Sequence, residues 1–190
     1  MRHKDENKKE SITIAAIQLI NEIGLAETSM SKIAKRAGVS SATIYVYFEN
    51  KNDMIKKLYL TIKKDMQQRV FNGIDISAPV KAEYGSVLKK YVNYFLNNKD
   101  YFLFFEQYVN SPLIQDLGSE EAENLVKPFL DFIENAKKQK IFIDADEYLI
   151  FVYSFSPLIQ IAKQHFNENF ILNEDIIEQA IKMSWEAIKK

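Results

Sequence analysis

Residues 28–51 read TSMSKIAKRAGVSSATIYVYFENK, and their order of small, apolar and hydroxyl side chains fits two short helices crossing at a tight turn. Thr28 reads as the N-cap of the first helix, with Ile33, Ala34 and Ala37 as its inward face. Ala34 is small enough for a second helix to cross closely. Gly38 supplies the sharp exit that a residue with a Cβ resists, and Val39 plugs the turn. Ser40 caps the next helix, whose first turn carries Ser41, Ala42 and Thr43, while Ile44 and Phe48, four apart, anchor it inward. Tyr45 and Tyr47 are left near the surface beside Lys51, three groups able to donate to phosphate oxygens. Lys51 follows Asn50, a cap for a further helix, and a cation in a first turn opposes the helix dipole unless an anion lies nearby.

One local signal opposes this reading. Thr43–Phe48 is β-branched and aromatic, which by propensity alone predicts a strand. A lone six-residue strand between helical patterns has no partner to pair with, so the helical context prevails.

Outward from this stretch the periodicity is helical throughout. Ile12, Ala15, Ala16, Leu19, Ile20 and Ile23 predict a first helix from Glu10 to a stop at Gly24. The preceding arm, with Arg2, Lys4, Lys8 and Lys9 interrupted by Asp5, Glu6 and Glu10, reads as a solvated terminus. Met54, Ile55, Leu58, Tyr59, Ile62 and Met66 predict a long helix from Lys51 to about Val70, ended by the loop residues 72–79. A helix over Val80–Asn97 follows. The next, capped by Asp100 and stopped at Ser111-Pro112, is so aromatic that burial on all sides is expected. Ser119 with Glu120, Glu121 and Glu123 opens another helix, in which Pro128 should introduce a kink. Asp144, Asp146 and Glu147 open a helix interrupted by Pro157. Asn173 caps the last, with its stripe of Ile176, Ile177, Ala180, Ile181, Ser184, Trp185 and Ile188. The expected fold is all-α, about nine helices: a three-helix helix-turn-helix domain over 1–50, a connecting helix over 51–72 and a larger helical domain over 73–190.

Charge separates the two ends of the chain. Residues 1–70 hold 13 Lys and Arg against 8 Asp and Glu, whereas residues 71–190 hold 12 against 18. A basic head on an acidic body suits a protein that meets phosphates at one end. Cys is absent, which excludes disulfides and thiolate metal sites. His165 has no second His in the body to share a metal, and Asp144, Asp146 and Glu147 lack the Gly and distant Glu of a calcium loop. No metal or other cofactor is expected. No phosphate-binding Gly loop, nucleophile elbow or paired histidines suggest an enzyme. No apolar run reaches the roughly 20 residues of a membrane span, and the polar N-terminus lacks a signal-like apolar stretch, so a cytoplasmic location is expected.

Ile33-Ala34, Ala37-Gly38-Val39-Ser40, Thr43-Ile44-Tyr45, Tyr47-Phe48 and Lys51 together resemble the DNA-binding domain of the tetracycline-repressor (TetR) family. The resemblance covers the first third of the chain. It implies a sequence-specific DNA-binding transcriptional regulator: a homodimeric repressor, released from a pseudo-palindromic operator when a small apolar or aromatic effector enters the helical body. Ser40, Ser41, Ala42, Thr43 and Tyr45 are then expected at bases or nearby phosphates, with Thr28, Tyr47 and Lys51 holding the DNA backbone. Ala42 departs from the Gly that many relatives have there, which would shift the contact to a thymine methyl. Tyr91, Phe95, Phe104, Gln107, Tyr108, Phe129, Phe151 and Phe155 are the candidates to line an effector pocket, with Tyr153 and Gln160 as further orienting groups. The last two helices, 148–166 and 173–189, are the expected dimer interface, because relatives pair through a four-helix bundle and the stripe on 176–188 is wide for a terminal helix. The alternative is a helical carrier of apolar ligands that reads no DNA; it leaves the serines and Lys51 unexplained.

Overall fold

A computed structural model describes residues 2–113 and 119–190, with side chains described over 8–113 and 124–190. Among the described residues there are nine α-helices: α1 (Arg2–Glu27), α2 (Met30–Ala37), α3 (Ser41–Tyr45), α4 (Lys51–Met66), α5 (Val80–Leu96), α6 (Lys99–Val109), α7 (Ser119–Lys138), α8 (Glu147–Phe166) and α9 (Glu174–Ile188). The all-α expectation is met. A π-helical turn, Gln67–Phe71, extends α4 and buries Val70 and Phe71. The side chains of Arg2 and Lys4 in the basic arm, and the capping group at Ser119–Glu123, lie outside the described residues.

The chain divides into two compact units. The first holds residues 1–63 and 99–119, the second residues 64–98 and 120–190, so the division falls inside α4 and assigns α6 to the first unit.

In the first unit α1 starts at Arg2 and not at Glu10, since six of the nine residues 2–10 are Arg, Lys or Glu, good helix formers. Its helical path breaks at Gly24 (φ 80°, ψ 165°), a left-handed conformation that a Cβ would oppose. Ile12, Ala15, Ala16, Ile17 and Ile20 are buried, with Ile17 taking the inward place expected of Ile23, which is exposed. α6 packs on α1, where Asn21 Nδ2 donates to the Asp100 carbonyl (2.9 Å) and Gln107 Nε2 to the Ile20 carbonyl (3.1 Å). The expectation that α6 is buried all round is corrected. Phe102, Phe104, Phe105 and Tyr108 are buried, but Lys99, Asp100 and Asn110 are exposed and Tyr101 and Leu103 only partly covered. Its apolar residues recur at three and four, which covers one broad face and leaves the other polar.

In the second unit α5 packs on α8, α9 and the π-helical turn. Tyr84 of α5 is buried, its hydroxyl donating to Ser154 Oγ (3.2 Å), and its ring packs on Phe142 and Trp185. Burial pushes the Tyr84 phenol up to about 12, the Ser154 hydrogen bond acting the other way. Asp146 is the N-cap of α8, accepting from Tyr148 N–H, and Asn173 caps α9 as expected, its Oδ1 accepting from Ile176 N–H (3.0 Å). Pro128 and Pro157 sit inside α7 and α8, which run past them as single helices. The C-terminus is tied back to the α7–α8 connection by a one-pair antiparallel bridge, Phe142 with Lys189. Among the described residues no helix is long and apolar enough to cross a membrane.

Candidate nucleic-acid interface

The first unit builds its reading surface from the caps outward. Ser29, and not Thr28, is the N-cap of α2: its hydroxyl accepts from Lys32 N–H (3.3 Å) and contacts Ser31 Oγ (3.1 Å). Thr28 is only 2% exposed. Its hydroxyl donates backward to the Gly24 carbonyl (2.8 Å), because the break at Gly24 leaves the end of α1 with carbonyls to satisfy. α2 ends at Gly38 in the left-handed conformation (φ 66°, ψ 30°), and Val39 N–H closes the turn on the Ala34 carbonyl (3.0 Å). Met30, Ile33 and Ala34 are buried beneath it.

α3 then starts with Ser40 as its N-cap, accepting from Thr43 N–H (3.2 Å) while the Ser40 and Thr43 hydroxyls share a hydrogen bond (2.9 Å). Ile44 and Phe48 point into the core, 0% and 2% exposed, so the opposite side of α3 faces water. Ser40, Ser41, Ala42 and Tyr45 are exposed and Thr43 partly so. The helix is five residues long, and Val46 and Tyr47 continue it as a turn, which settles the strand-or-helix conflict in favour of the helical context. Val46, 75% exposed, is not among the expected contacts; a β-branched apolar residue two places past the core position Ile44 carries no sequence signal for such exposure.

α4 starts with a reciprocal cap. Asn50 Oδ1 accepts from Asp53 N–H (2.9 Å), and the Asp53 carboxylate accepts from Glu49 N–H (2.9 Å) and from Lys57 Nζ (2.8 Å). Burial pushes the Asp53 carboxyl up, but these hydrogen bonds and the charges of Lys57 and Lys56 outweigh it and hold the group below its ordinary value. Lys51 turns inward. Its ammonium donates to the carbonyls of Leu25 (2.9 Å), Ala26 (3.3 Å) and Thr28 (2.9 Å), using all three N–H groups on the end of α1. Thr28, buried, and Lys51, half-buried, both expected on the DNA backbone, are thus brought together at the end of α1, with their side-chain donors committed to the protein. Arg36 forks onto the Glu22 carboxylate, joining α2 to α1, and this hydrogen bond lowers the Glu22 carboxyl.

The candidate effector residues fall into two aromatic clusters, one per unit. In the first, Tyr108 stacks on Tyr59 (4.3 Å) near Phe104 (6.5 Å), and Gln107 is occupied by the Ile20 carbonyl. In the second, Phe155 meets Tyr91 (4.6 Å), Phe129 (4.8 Å) and Phe151 (4.7 Å), and Phe95 meets Tyr91 (5.2 Å). Phe71 of the π-helical turn, outside the expected set, completes this group (5.8 Å from Phe155). Tyr153 is exposed, as is Gln160. Of three described cavities of the second unit, of about 480, 370 and 250 Å³, the first two are lined by other residues, Arg69 and Lys90 in the first and Gly85 and Trp185 in the second, while Tyr153 joins Leu149 and Ala187 in the third. No group of three or more metal-ligating side chains occurs among the described residues.

Comparison with known proteins fits this geometry. Residues 12–58 match the family of bacterial regulatory proteins called tetR, and residues 79–189 match the tetracyclin repressor-like C-terminal domain. A relative from Haemophilus influenzae, described as an uncharacterized HTH-type transcriptional regulator, is 27% identical over 191 residues spanning the whole of both chains. Among solved structures, a TetR family transcription regulator from Marinobacter aquaeolei aligns over the whole of both chains at 20% identity with a TM-score of 0.88. A TetR-family transcriptional regulator from Haemophilus influenzae aligns at 26% identity with a TM-score of 0.81, over 97% of this chain and 98% of the other.

Proposed function

Because the chain belongs to the TetR family of DNA-binding, helix-turn-helix transcriptional regulators, we propose that it acts as a homodimeric repressor released from its operator by a small apolar or aromatic effector. The observation that carries the reading is the exposed face of α3, with Ser41, Ala42, Thr43 and Tyr45 presented on a helix clamped from below by Ile44 and Phe48. Short hydroxyls and a methyl at a helix start suit base edges in a major groove, and the phenols of Tyr45 and Tyr47 suit phosphates. Thr28 and Lys51 take the role of positioning residues that hold α1, α2 and α4 in register under that face.

Dimerisation is supported by α8 and α9. Tyr148, Leu149 and Tyr153 of α8 and Met183 of α9 are between 50% and 73% exposed, an apolar band that a second copy of the chain would cover. A twofold pair presents two α3 helices to successive major grooves and calls for a pseudo-palindromic site. The two aromatic clusters support an apolar effector, since either one could open around a ring or an alkyl chain.

The test is binding of the purified protein to labelled DNA from upstream of its own gene, by anisotropy at two salt concentrations with excess unrelated competitor. Competitor-resistant binding at one dimer per site, lost at least tenfold in a Thr43→Ala/Tyr45→Ala double variant that melts like wild type, supports the reading. Weak, competitor-sensitive binding that the double variant leaves unchanged refutes it.

A further inference from the structure

Four cations of the first unit are answered by oxygen. Arg36 has Glu22, Lys57 has Asp53, Lys51 has three carbonyls and Lys32 has the carbonyl of Glu27. Lys63 differs. Its ammonium lies over the ring of Phe105 (5.0 Å) and over that of Tyr59 (5.8 Å), and among the described residues no carboxylate or carbonyl accepts from it. Tyr59 sits one helical turn before Lys63 on the same face of α4, stacked between Tyr108 (4.3 Å) and Phe105 (5.5 Å). Tyr108 has committed its hydroxyl to the Leu113 carbonyl (3.2 Å). The Tyr59 hydroxyl, on a residue 5% exposed, has no hydrogen-bond acceptor or donor among the described residues.

An aromatic face attracts a cation, yet it offers no strong acceptor for three N–H groups. The desolvation shows in the amine itself, which burial pushes down to about 8. Burial, and then the neighbouring Tyr108, push the Tyr59 phenol upward, so it stays a neutral donor. A lysine kept unpaired among rings weakens the fold and is a poor choice for packing; ionisable groups held at such a cost concentrate where ligands bind.

We infer that the effector is an apolar carboxylate, its charged end held by the Lys63 ammonium and the Tyr59 hydroxyl and its body against the rings of Phe105 and Tyr108. This rests on the effector-release reading above. One ammonium and one phenol match a single negative charge with two acceptor oxygens, whereas a phosphate dianion would call for further donors. The ligand supplies what the cluster lacks, an acceptor in a dry aromatic setting.

The experiment uses the full-length protein and calorimetric titration with decanoate and 4-phenylbutyrate, each beside its uncharged primary amide. Wild type is expected to prefer each acid over its amide by at least tenfold. Lys63→Met should erase that preference while leaving amide affinity within twofold, and Lys63→Arg should retain most of it. Tyr59→Phe, which removes only the hydroxyl, should cut the preference severalfold and serves if Lys63→Met fails to fold. Amides binding as well as acids, no acid binding, or an acid preference untouched by both variants overturns the inference. The same compounds, with neutral aromatic ligands added, are then tested for release of the upstream DNA. Release by neutral ligands while acids are inert sinks the carboxylate and leaves the effector-release reading standing; release by none of them sinks both.

Discussion

The ammonium of Lys51 donates to the backbone carbonyl of Thr28 at 2.9 Å, joining the first residue of α4 to the strand of chain just before α2. With the bonds to Leu25 and Ala26 it closes the carbonyl end that Gly24 leaves open. The helix-turn-helix is therefore held by a side chain twenty-three residues away from its partner.

Replacing Lys51 by Met separates a positioning role from a phosphate contact. Loss of charge-assisted bonds to part-buried carbonyls should cost about 1.5–3 kcal/mol of stability, read by thermal or urea unfolding. DNA affinity should fall, but the slope of log affinity against log salt should stay as in wild type. A slope shallower by about one would show that Lys51 contacts a phosphate.

Gly38→Ala isolates backbone strain. A Cβ at Gly38 meets nothing within 4 Å, so its cost comes from the left-handed conformation (φ +66°) alone. A loss of about 1–2 kcal/mol is expected, and Gly38→Asn, which tolerates this conformation better, should lose less. Equal losses in the two variants would contradict the account.

Ser40 has two duties that a pair of substitutions can divide. Ser40→Ala removes the cap on Thr43 N–H and should destabilise the protein by about 1 kcal/mol. Ser40→Asp keeps a capping oxygen, so its stability should remain near wild type, but its charge beside phosphates should weaken DNA binding at least tenfold at low salt and less at high salt. Retention of affinity by the Asp variant would place Ser40 away from the DNA.

The opposite faces of α3 should respond differently. Ile44→Ala leaves a cavity at a fully buried position and should cost about 2–4 kcal/mol in unfolding. Tyr45→Ala, at 55% exposure, should change stability by under about 0.5 kcal/mol while reducing operator affinity.

Lys63 sets a pH dependence of stability. Its amine titrates near 8 in the folded chain and near 10.5 when unfolded, so between those values the unfolded state binds more protons. Stability contributed through this residue therefore rises as pH climbs from about 8 to 10.5, and below 8 its full penalty applies. Lys63→Met should raise the unfolding free energy at pH 7 by about 1–3 kcal/mol, with the gain shrinking toward pH 10.5. A variant no more stable than wild type at pH 7 would show that the amine is not desolvated in the free protein.

The parts of the interface that local chemistry determines could be read from the chain. Gly38, the Ser40, Asn50 and Asn173 caps, and the burial of Ile33, Ile44 and Phe48 each follow from a residue and its neighbours within four positions. Thr28 meets the sequence rule for a cap without being one, because a hydroxyl ahead of a helix satisfies the rule whichever way it turns; the break at Gly24 turns it backward. The inward turn of Lys51 and the pairing of Phe142 with Lys189 depend on partners far along the chain, which periodicity does not encode. The candidate effector residues other than Gln107 are aromatic, and aromatic rings that fill a core look the same in sequence as rings that line a cavity.

Residues 99–113 lie on the far side of a long stretch of chain from the helix-turn-helix, yet α6 belongs to the unit that contains it. Cutting the protein near residue 70 to obtain a minimal reading head would strip Phe105 and Tyr108 from Tyr59 and remove the side-chain bonds that join α6 to Asn21 and Ile20. The reading head is consequently not a portable cassette. A graft that exchanges operator preference between relatives must carry α6 with it, or confine itself to the surface of α3.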